Sequence, residues 1–335
     1  MMHQPKFWKT KNIISHLLMP LSVIFLFLGK IKNLFEKNYK SKIPVICVGN
    51  ITIGGSGKTP TVLYIANLLN KLNYKSIILL KGYGGTLTKP TKVGPKHTSR
   101  EVGDEAILHS KYNETWICRS RWKAIKNIEQ INKGNLILMD DGIQNKSVSQ
   151  DLKILVFDGN EGIGNGRVIP SGPLREKFEK GLKDIDFAII IGEDRNSISK
   201  KILSINSRVK IFKSIFEPDI KTINYLKGKN IVAFSGIGFP KKFFATLKDK
   251  KLNLIEKISF QDHHRYQQSE LEDLIKISTS KNGRLVTTEK DFVKIDEIDK
   301  SLNKQITQLP VRLKVIKEKE LFEELTKILY EKKLY

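Results

Sequence analysis

Residues 52–59, Thr-Ile-Gly-Gly-Ser-Gly-Lys-Thr, place three glycines, a lysine and three hydroxyls within eight positions. Those types suit an anion. Gly54, Gly55 and Gly57 let the backbone turn tightly around Ser56, so that free N–H groups face a phosphate. Lys58 then reaches the outer phosphates and the Thr59 hydroxyl ligates Mg²⁺. Thr52 stands six residues before the lysine, where such loops usually carry their first glycine, and Ile53 follows it. The elements around the turn agree. Ile43 to Val48 is an apolar run that reads as a buried strand, and Val62, Leu63, Ile65, Ala66, Leu68, Leu69 and Leu72 recur at helical spacing. Strand, glycine-rich turn and helix make a nucleotide phosphate site, with ATP and Mg²⁺ as the expected ligands. The alternative is a glycine-rich turn that only caps a helix.

Other candidate groups fall where strands should end. Four apolar residues precede Asp140, which makes it a second carboxylate for the metal, with Asp141 beside it; the pair also reads as turn acids before Gly142. Asp104 opens a short helix and serves equally well as its N-cap. Asp262-His263-His264 follows a strand and suits a metal pair, a base or a surface turn. Neighbouring strand residues point opposite ways, which argues against both imidazoles holding one metal.

Composition sets the frame. A chain of 335 residues is long enough for two domains with real cores, and 40% hydrophobic with 28% charged residues argues against disorder. The net charge of +24 implies an anionic partner: a phosphorylated substrate, an acidic membrane surface or nucleic acid. Lysines are spread along the whole chain, which weakens any single inference from it. Cys47 and Cys118 lie in apolar stretches without metal-ligand spacing, as in a reduced compartment.

Ile13 to Leu28 is mostly apolar, broken by Ser15, His16, Pro20 and Ser22, and flanked by lysines 6, 9 and 11 and by lysines 30, 32 and 37. As a helix it would reach about 24 Å, short of the ~30 Å hydrocarbon core. Leu28-Gly29-Lys30 is no signal-peptide cleavage site. A helix lying in one leaflet suits the length and basic flanks better than a full span; a buried soluble helix is the remaining alternative.

Downstream, strands alternate with helices: 75–80, 115–118, 135–139, 152–157 and 187–191 read as strands, with helices at about 103–112 and 119–133 and a polar excursion at 86–101. Their Val, Ile and Leu content predicts a parallel sheet covered on both faces. The pattern restarts near Tyr225–Asn230, with strands at 231–234, 254–260, 285–288 and 311–316 and a closing amphipathic helix at 318–332. The expected architecture is α/β: a membrane-associated helix over 1–38, a P-loop domain over 39–226 and a smaller α/β domain over 227–335, both domains α/β/α sandwiches with mainly parallel sheets.

Taken together, the motifs carry a resemblance. Gly-Gly-Ser-Gly-Lys-Thr-Pro (54–60), Gly82-Tyr83-Gly84, Gly103-Asp104-Glu105, Asp140-Asp141-Gly142-Ile143-Gln144, the segment 164–176 ending Pro-Leu-Arg-Glu, Gly236-Ile237-Gly238-Phe239-Pro240, Phe260-x-Asp262-His263 and Thr288-Glu289-Lys290-Asp291 occur in the order found in tetraacyldisaccharide 4'-kinases, which the chain resembles over roughly residues 10 to 295. Departures are Lys81 for an arginine, Ile143 for a phenylalanine, Asn145 for a histidine and Lys177 for a proline. The resemblance implies phosphoryl transfer from ATP to the 4'-hydroxyl of an acylated glucosamine disaccharide 1-phosphate. The setting it implies is the cytoplasmic face of a Gram-negative inner membrane, in a cleft between two α/β/α domains. It puts Lys58 and Thr59 on phosphate and Mg²⁺, Asp140, Asp141 and Glu176 on the metal side, and Asp104 with His263 at the catalytic position. Tyr83 falls on the substrate side. Arg175 and the basic stretch Arg119, Arg121, Lys123 are candidates for gripping the 1-phosphate, or a solvated basic face.

Two other readings compete. A membrane-associated nucleotide switch accounts for 43–72 but leaves Asp104 and His263 idle. A nucleic-acid-binding ATPase fits the charge, yet no aromatic-interleaved basic strand or recognition helix stands out. No nucleic acid and no obligate protein partner are expected.

Overall fold

The computed structural model describes residues 5–34, 36, 38–131, 134–298, 300–332 and 334. The expected flanking Lys37 and the expected helix end at Lys133 lie outside the described residues. Thirteen strands are described, in chain order β1 (Val45–Gly49), β2 (Ser76–Leu80), β3 (Thr91–Lys92), β4 (Thr115–Ile117), β5 (Leu136–Asp140), β6 (Leu152–Asp158), β7 (Phe187–Ile191), β8 (Lys210–Pro218), β9 (Asn230–Ser235), β10 (Asn253–Ser259), β11 (Gly283–Thr288), β12 (Ile306–Leu309) and β13 (Val311–Val315).

Nine of them form one mixed but mainly parallel sheet in the order β13-β8-β7-β6-β1-β5-β2-β4-β3. Strands β1, β2, β5 and β7 are buried at every position, as an apolar run demands when helices cover both faces. The helix Lys58–Lys71 packs Val62, Ile65, Ala66 and Leu69 on one face. The helix Arg121–Ile131 packs Ala124, Ile125 and Ile128 on the other. From β1 the chain first builds toward β5 and β2, and later returns to add β6, β7 and β8 on the opposite side. Loops therefore diverge at the carboxyl end of β1, which opens a crevice there.

The second sheet is parallel, in the order β10-β9-β11-β12. The helix Pro240–Asp249 covers one face with Phe243, Phe244 and Leu247; the helix Gln268–Ser280 covers the other with Leu271 and Leu274.

The end of the chain departs from the sequence reading. Residues 311–316 and 318–332 are expected to close the second domain. Instead β13 pairs antiparallel with β8, Val311 opposite Pro218, and the helix Glu318–Glu331 buries Leu321, Leu325 and Leu329 in the first core. The crossing points are adjacent, Asp219 N donating to Pro310 O at 2.8 Å. The second lobe is thus inserted between two neighbouring strands of the first. Strand β8 itself was not expected; its mix of lysines and apolar residues hides its period.

The N-terminal segment forms two helices, Ile13–Leu17 and Met19–Leu34, where one over 13–28 was expected. Pro20 sits in the first turn of the second, where its missing N–H breaks no helical bond. The buried face is polar. Ser22 Oγ donates to Val168 O at 2.8 Å and Arg167 Nη1 donates to Ser15 Oγ at 2.9 Å, while Ile13, Leu17, Val23, Phe27 and Leu28 stay exposed. Among the described residues no helix is long and apolar enough to cross a membrane.

Candidate active site in the cleft

The turn after β1 is held on both sides. Thr52 bridges to Leu174, and Ile53 N donates to Pro173 O at 2.8 Å. Gly57 caps the following helix at φ +87°, and a Cβ there would meet Ile191 Cδ1 at 2.6 Å, so only glycine fits. Phe239 of the second lobe covers Gly55, whose added Cβ would meet the ring at 3.3 Å. At the head of the helix, Lys58 Nζ donates to Asn50 Oδ1 (3.3 Å) and stands 3.9 Å from Asp141 Oδ2. Thr59 Oγ1 donates to Glu105 Oε1 at 3.5 Å. Ser56 Oγ is buried without a partner among the described residues.

Asp140 ends β5. His109, fully buried, donates from Nε2 to Asp140 Oδ2 at 3.0 Å, while Asp140 Oδ1 has no hydrogen-bond partner among the described residues. Arg121 was a candidate for gripping substrate. It is mostly buried in the cleft lining and donates to the Asp141 carbonyl at 2.6 Å, which braces the end of β5. Asp141 takes φ +54°, uncommon for a non-glycine residue, which turns its carboxylate onto Arg175 Nη1 at 2.7 Å. Burial opposes ionisation of Asp141, but Lys58 and Arg175 hold its carboxyl below the usual range. Glu176 sits 3.6 Å from Lys180 and is not among the residues lining the cleft. Of the expected set, Thr59, Asp140 and Asp141 line the cleft, Asp141 being shared between Lys58 and Arg175, while Glu176 pairs with Lys180 outside that lining. Among the described residues no cluster of three His, Cys, Asp or Glu side chains would hold a metal by itself. Thr59 and Asp140 both belong to the cleft lining; the Thr59 hydroxyl and the Asp140 carboxylate, whose Oδ1 is buried without a partner among the described residues, are the groups that fit a magnesium ion bound with triphosphate.

The second lobe brings the other half. His263 follows β10, and its nitrogen Nδ1 lies 2.9 Å from Oδ2 of Asp104 in the first lobe. The backbone of His263 is left-handed at φ +59°, with its N–H bonded to Gly236 O at 3.1 Å. Asp104 is 6% exposed and starts the helix Asp104–Ser110 after Gly103. Burial pushes its carboxyl up, but Lys290 and His263 outweigh it and hold it well below the ordinary range. Lys290 also lowers Glu105, from 3.1 Å, against the cost of burial. Tyr83 packs its ring 5.6 Å from that of His263. Lys242 pairs with Asp158, and Arg312 bonds Glu289 at 2.6 Å, so the lobes stand closed on each other.

The cleft between them holds about 1130 Å³ and is lined by the turn 53–59, Tyr83, Arg119, Asp140, Asp141, Arg175 and His263. His264 stands apart, bonded to Glu270 at 3.0 Å, which removes the two-histidine metal reading. Sequence reasoning gave no role to Asn50, Glu105, His109 or Lys290. Glu105 and Lys290 were visible as charged residues in two of the motifs, and Lys290 follows the end of β11, where parallel sheets place their sites.

Comparison with known proteins agrees over nearly the whole chain. The family model for tetraacyldisaccharide-1-P 4'-kinase matches residues 14–330. The tetraacyldisaccharide 4'-kinase of Rickettsia bellii is 38% identical over 293 residues, covering 88% of this chain and 89% of the relative. That of Paramagnetospirillum magneticum is 38% identical over 296 residues, covering 88% and 90%. The crystal structure described as the "apo" form of LpxK from Aquifex aeolicus in complex with ATP superposes with a TM-score of 0.75 at 25% identity, covering 94% of this chain and 99% of that one. The chain belongs to the tetraacyldisaccharide 4'-kinase family.

Proposed function

We propose that the protein transfers the γ-phosphate of ATP to the 4'-hydroxyl of tetraacyldisaccharide 1-phosphate, working at a membrane surface. The observation that carries this is the 2.9 Å bond across the lobes between buried Asp104 and His263, with His263 lining the same cleft as Lys58 and Thr59. A sugar hydroxyl must lose its proton as it attacks, and Asp104, kept ionised and oriented by His263, is the acceptor. Turn 52–59 is a P-loop: its backbone N–H groups and Lys58 hold the triphosphate in line. Magnesium would sit with Thr59 and Asp140, where it neutralises charge on the phosphate oxygens. Asp141 keeps Lys58 and Arg175 in place from 3.9 and 2.7 Å. Arg119, exposed at the cleft mouth, is the candidate for the 1-phosphate, and Tyr83 borders the acceptor sugar beside His263.

The helices 13–34 support peripheral association. Their buried serines face the protein and most of their described large apolar side chains face out, Leu26 packing inward, a pattern that suits acyl chains rather than water. With ATP supplied from the cytosol, that surface is the cytoplasmic face of a Gram-negative inner membrane. The test is direct: incubate the protein with Mg-ATP and tetraacyldisaccharide 1-phosphate, then weigh the lipid. A mass gain of one phosphoryl group supports the reading; an unmodified lipid beside consumed ATP removes it.

A further inference from the structure

We infer that Lys290 is a positioning residue for the reacting pair: reaching across the cleft, it fixes the tautomer of His263 and so the direction of its bond to Asp104. The inference rests on the reading of Asp104 and His263 given above.

Lys290 lies in the first turn of the helix Glu289–Ile295 in the second lobe. Its ammonium is anchored on Glu105 Oε1 at 3.1 Å, stands 3.9 Å from Asp104 Oδ2, and lies 3.4 Å from His263 Nε2. An ammonium donates only, so Nε2 of His263 must offer its lone pair. The proton of the neutral imidazole then belongs on Nδ1, which lies 2.9 Å from Asp104 Oδ2 and donates to it. The competing arrangement would put the proton on Nε2 toward Asp262 Oδ1. That oxygen is 3.9 Å away, too far for a hydrogen bond, and an N–H there would face the lysine's own positive charge.

Asp104 is thereby oriented from two sides. Oδ1 accepts from Glu105 N at 2.9 Å and Oδ2 accepts from His263, which fixes the plane of the carboxylate that takes the hydroxyl proton. Without Lys290 the ring is free to take the other tautomer, which would set a lone pair against the carboxylate. Lys290 acts through His263 rather than on the phosphates, for which Lys58 is the lysine at the turn.

Lys290→Met keeps the side-chain length and removes the charge. Phosphoryl transfer to tetraacyldisaccharide 1-phosphate should lose about 10- to 100-fold in kcat, with the KM for ATP held within about twofold. Lys290→Arg, which still donates to Nε2, should recover part of that loss. Independently, ¹⁵N NMR of the wild-type protein with labelled histidine should show His263 as the Nδ1–H tautomer, its signal assigned by loss in His263→Asn. That measurement stands even if Lys290→Met does not fold. An Nε2–H signal in the wild-type protein overturns the inference. So does unchanged kcat in Lys290→Met, or a loss carried by the KM for ATP, which would make Lys290 a phosphate ligand. Wild-type protein that transfers no phosphate would instead remove the functional reading, leaving the tautomer result as it stands.

Discussion

If Asp104 and His263 act as one unit, their substitutions should not add. Asp104→Asn keeps the shape and the bond to the backbone but cannot accept a proton. General-base catalysis is worth about 10²- to 10⁴-fold, or ~2.7–5.5 kcal/mol at 1.36 kcal/mol per decade. Asp104 is buried and bonded at 2.9 Å by its partner, so the upper half of that range, a loss of about 10³-fold or more, is expected. His263 contributes only by orienting the acid, so His263→Asn should cost about 10²-fold; asparagine tolerates the left-handed backbone at that position. The double variant should then fall no more than about threefold below Asp104→Asn, because the second change removes an interaction that no longer exists. Transfer of ³²P from ATP to tetraacyldisaccharide 1-phosphate, measured at saturating lipid, gives kcat and the KM for ATP for all four proteins. The KM should stay near wild type, since Lys58 and Thr59 are untouched. Losses that multiply, a total near 10⁵-fold, would refute the pairing, as would His263→Asn at full rate.

Lys58→Ala should abolish transfer and raise the KM for ATP, with Asp141 left to Arg175; near-normal ATP affinity in a binding titration would contradict the phosphate role. Asp104 and Asp141 are both held below their unfolded values, so their contribution to stability is present above the unfolded carboxylate range near 4 and is lost as pH falls toward the folded values. Urea midpoints should therefore drop between pH 5 and pH 3, and drop less steeply in Asp104→Asn. Asp140→Asn should raise the Mg²⁺ concentration at half-maximal rate by at least tenfold, because an amide replaces the carboxylate whose Oδ1 lacks a partner among the described residues. Leu17→Glu with Phe27→Glu, on the exposed face of the N-terminal helices, should reduce sedimentation with anionic vesicles several-fold while leaving the soluble fold intact.

The glycine-rich turn was legible because its chemistry is local: glycines, lysine and threonine must lie within one strand–turn–helix unit to surround a phosphate. The same holds for Asp140, which follows its own buried strand. What the sequence could not contain was which distant pieces meet. That β13 returns to β8 rather than joining β12 depends on pairing across some ninety residues, and alternating strands look alike whichever sheet they enter. For the same reason the sequence left Asp104 undecided between cap and acid. Only the closure of an inserted lobe sets His263 and Lys290 against it, and the Lys290 charge with the His263 hydrogen bond, outweighing burial, keeps its carboxyl ionised. In short-range terms the sequence determined the glycine-rich turn, most of the strands and the apolar N-terminal segment; the tertiary structure decided which carboxylates are set against which charges, because charge and burial are properties of the neighbours that folding supplies.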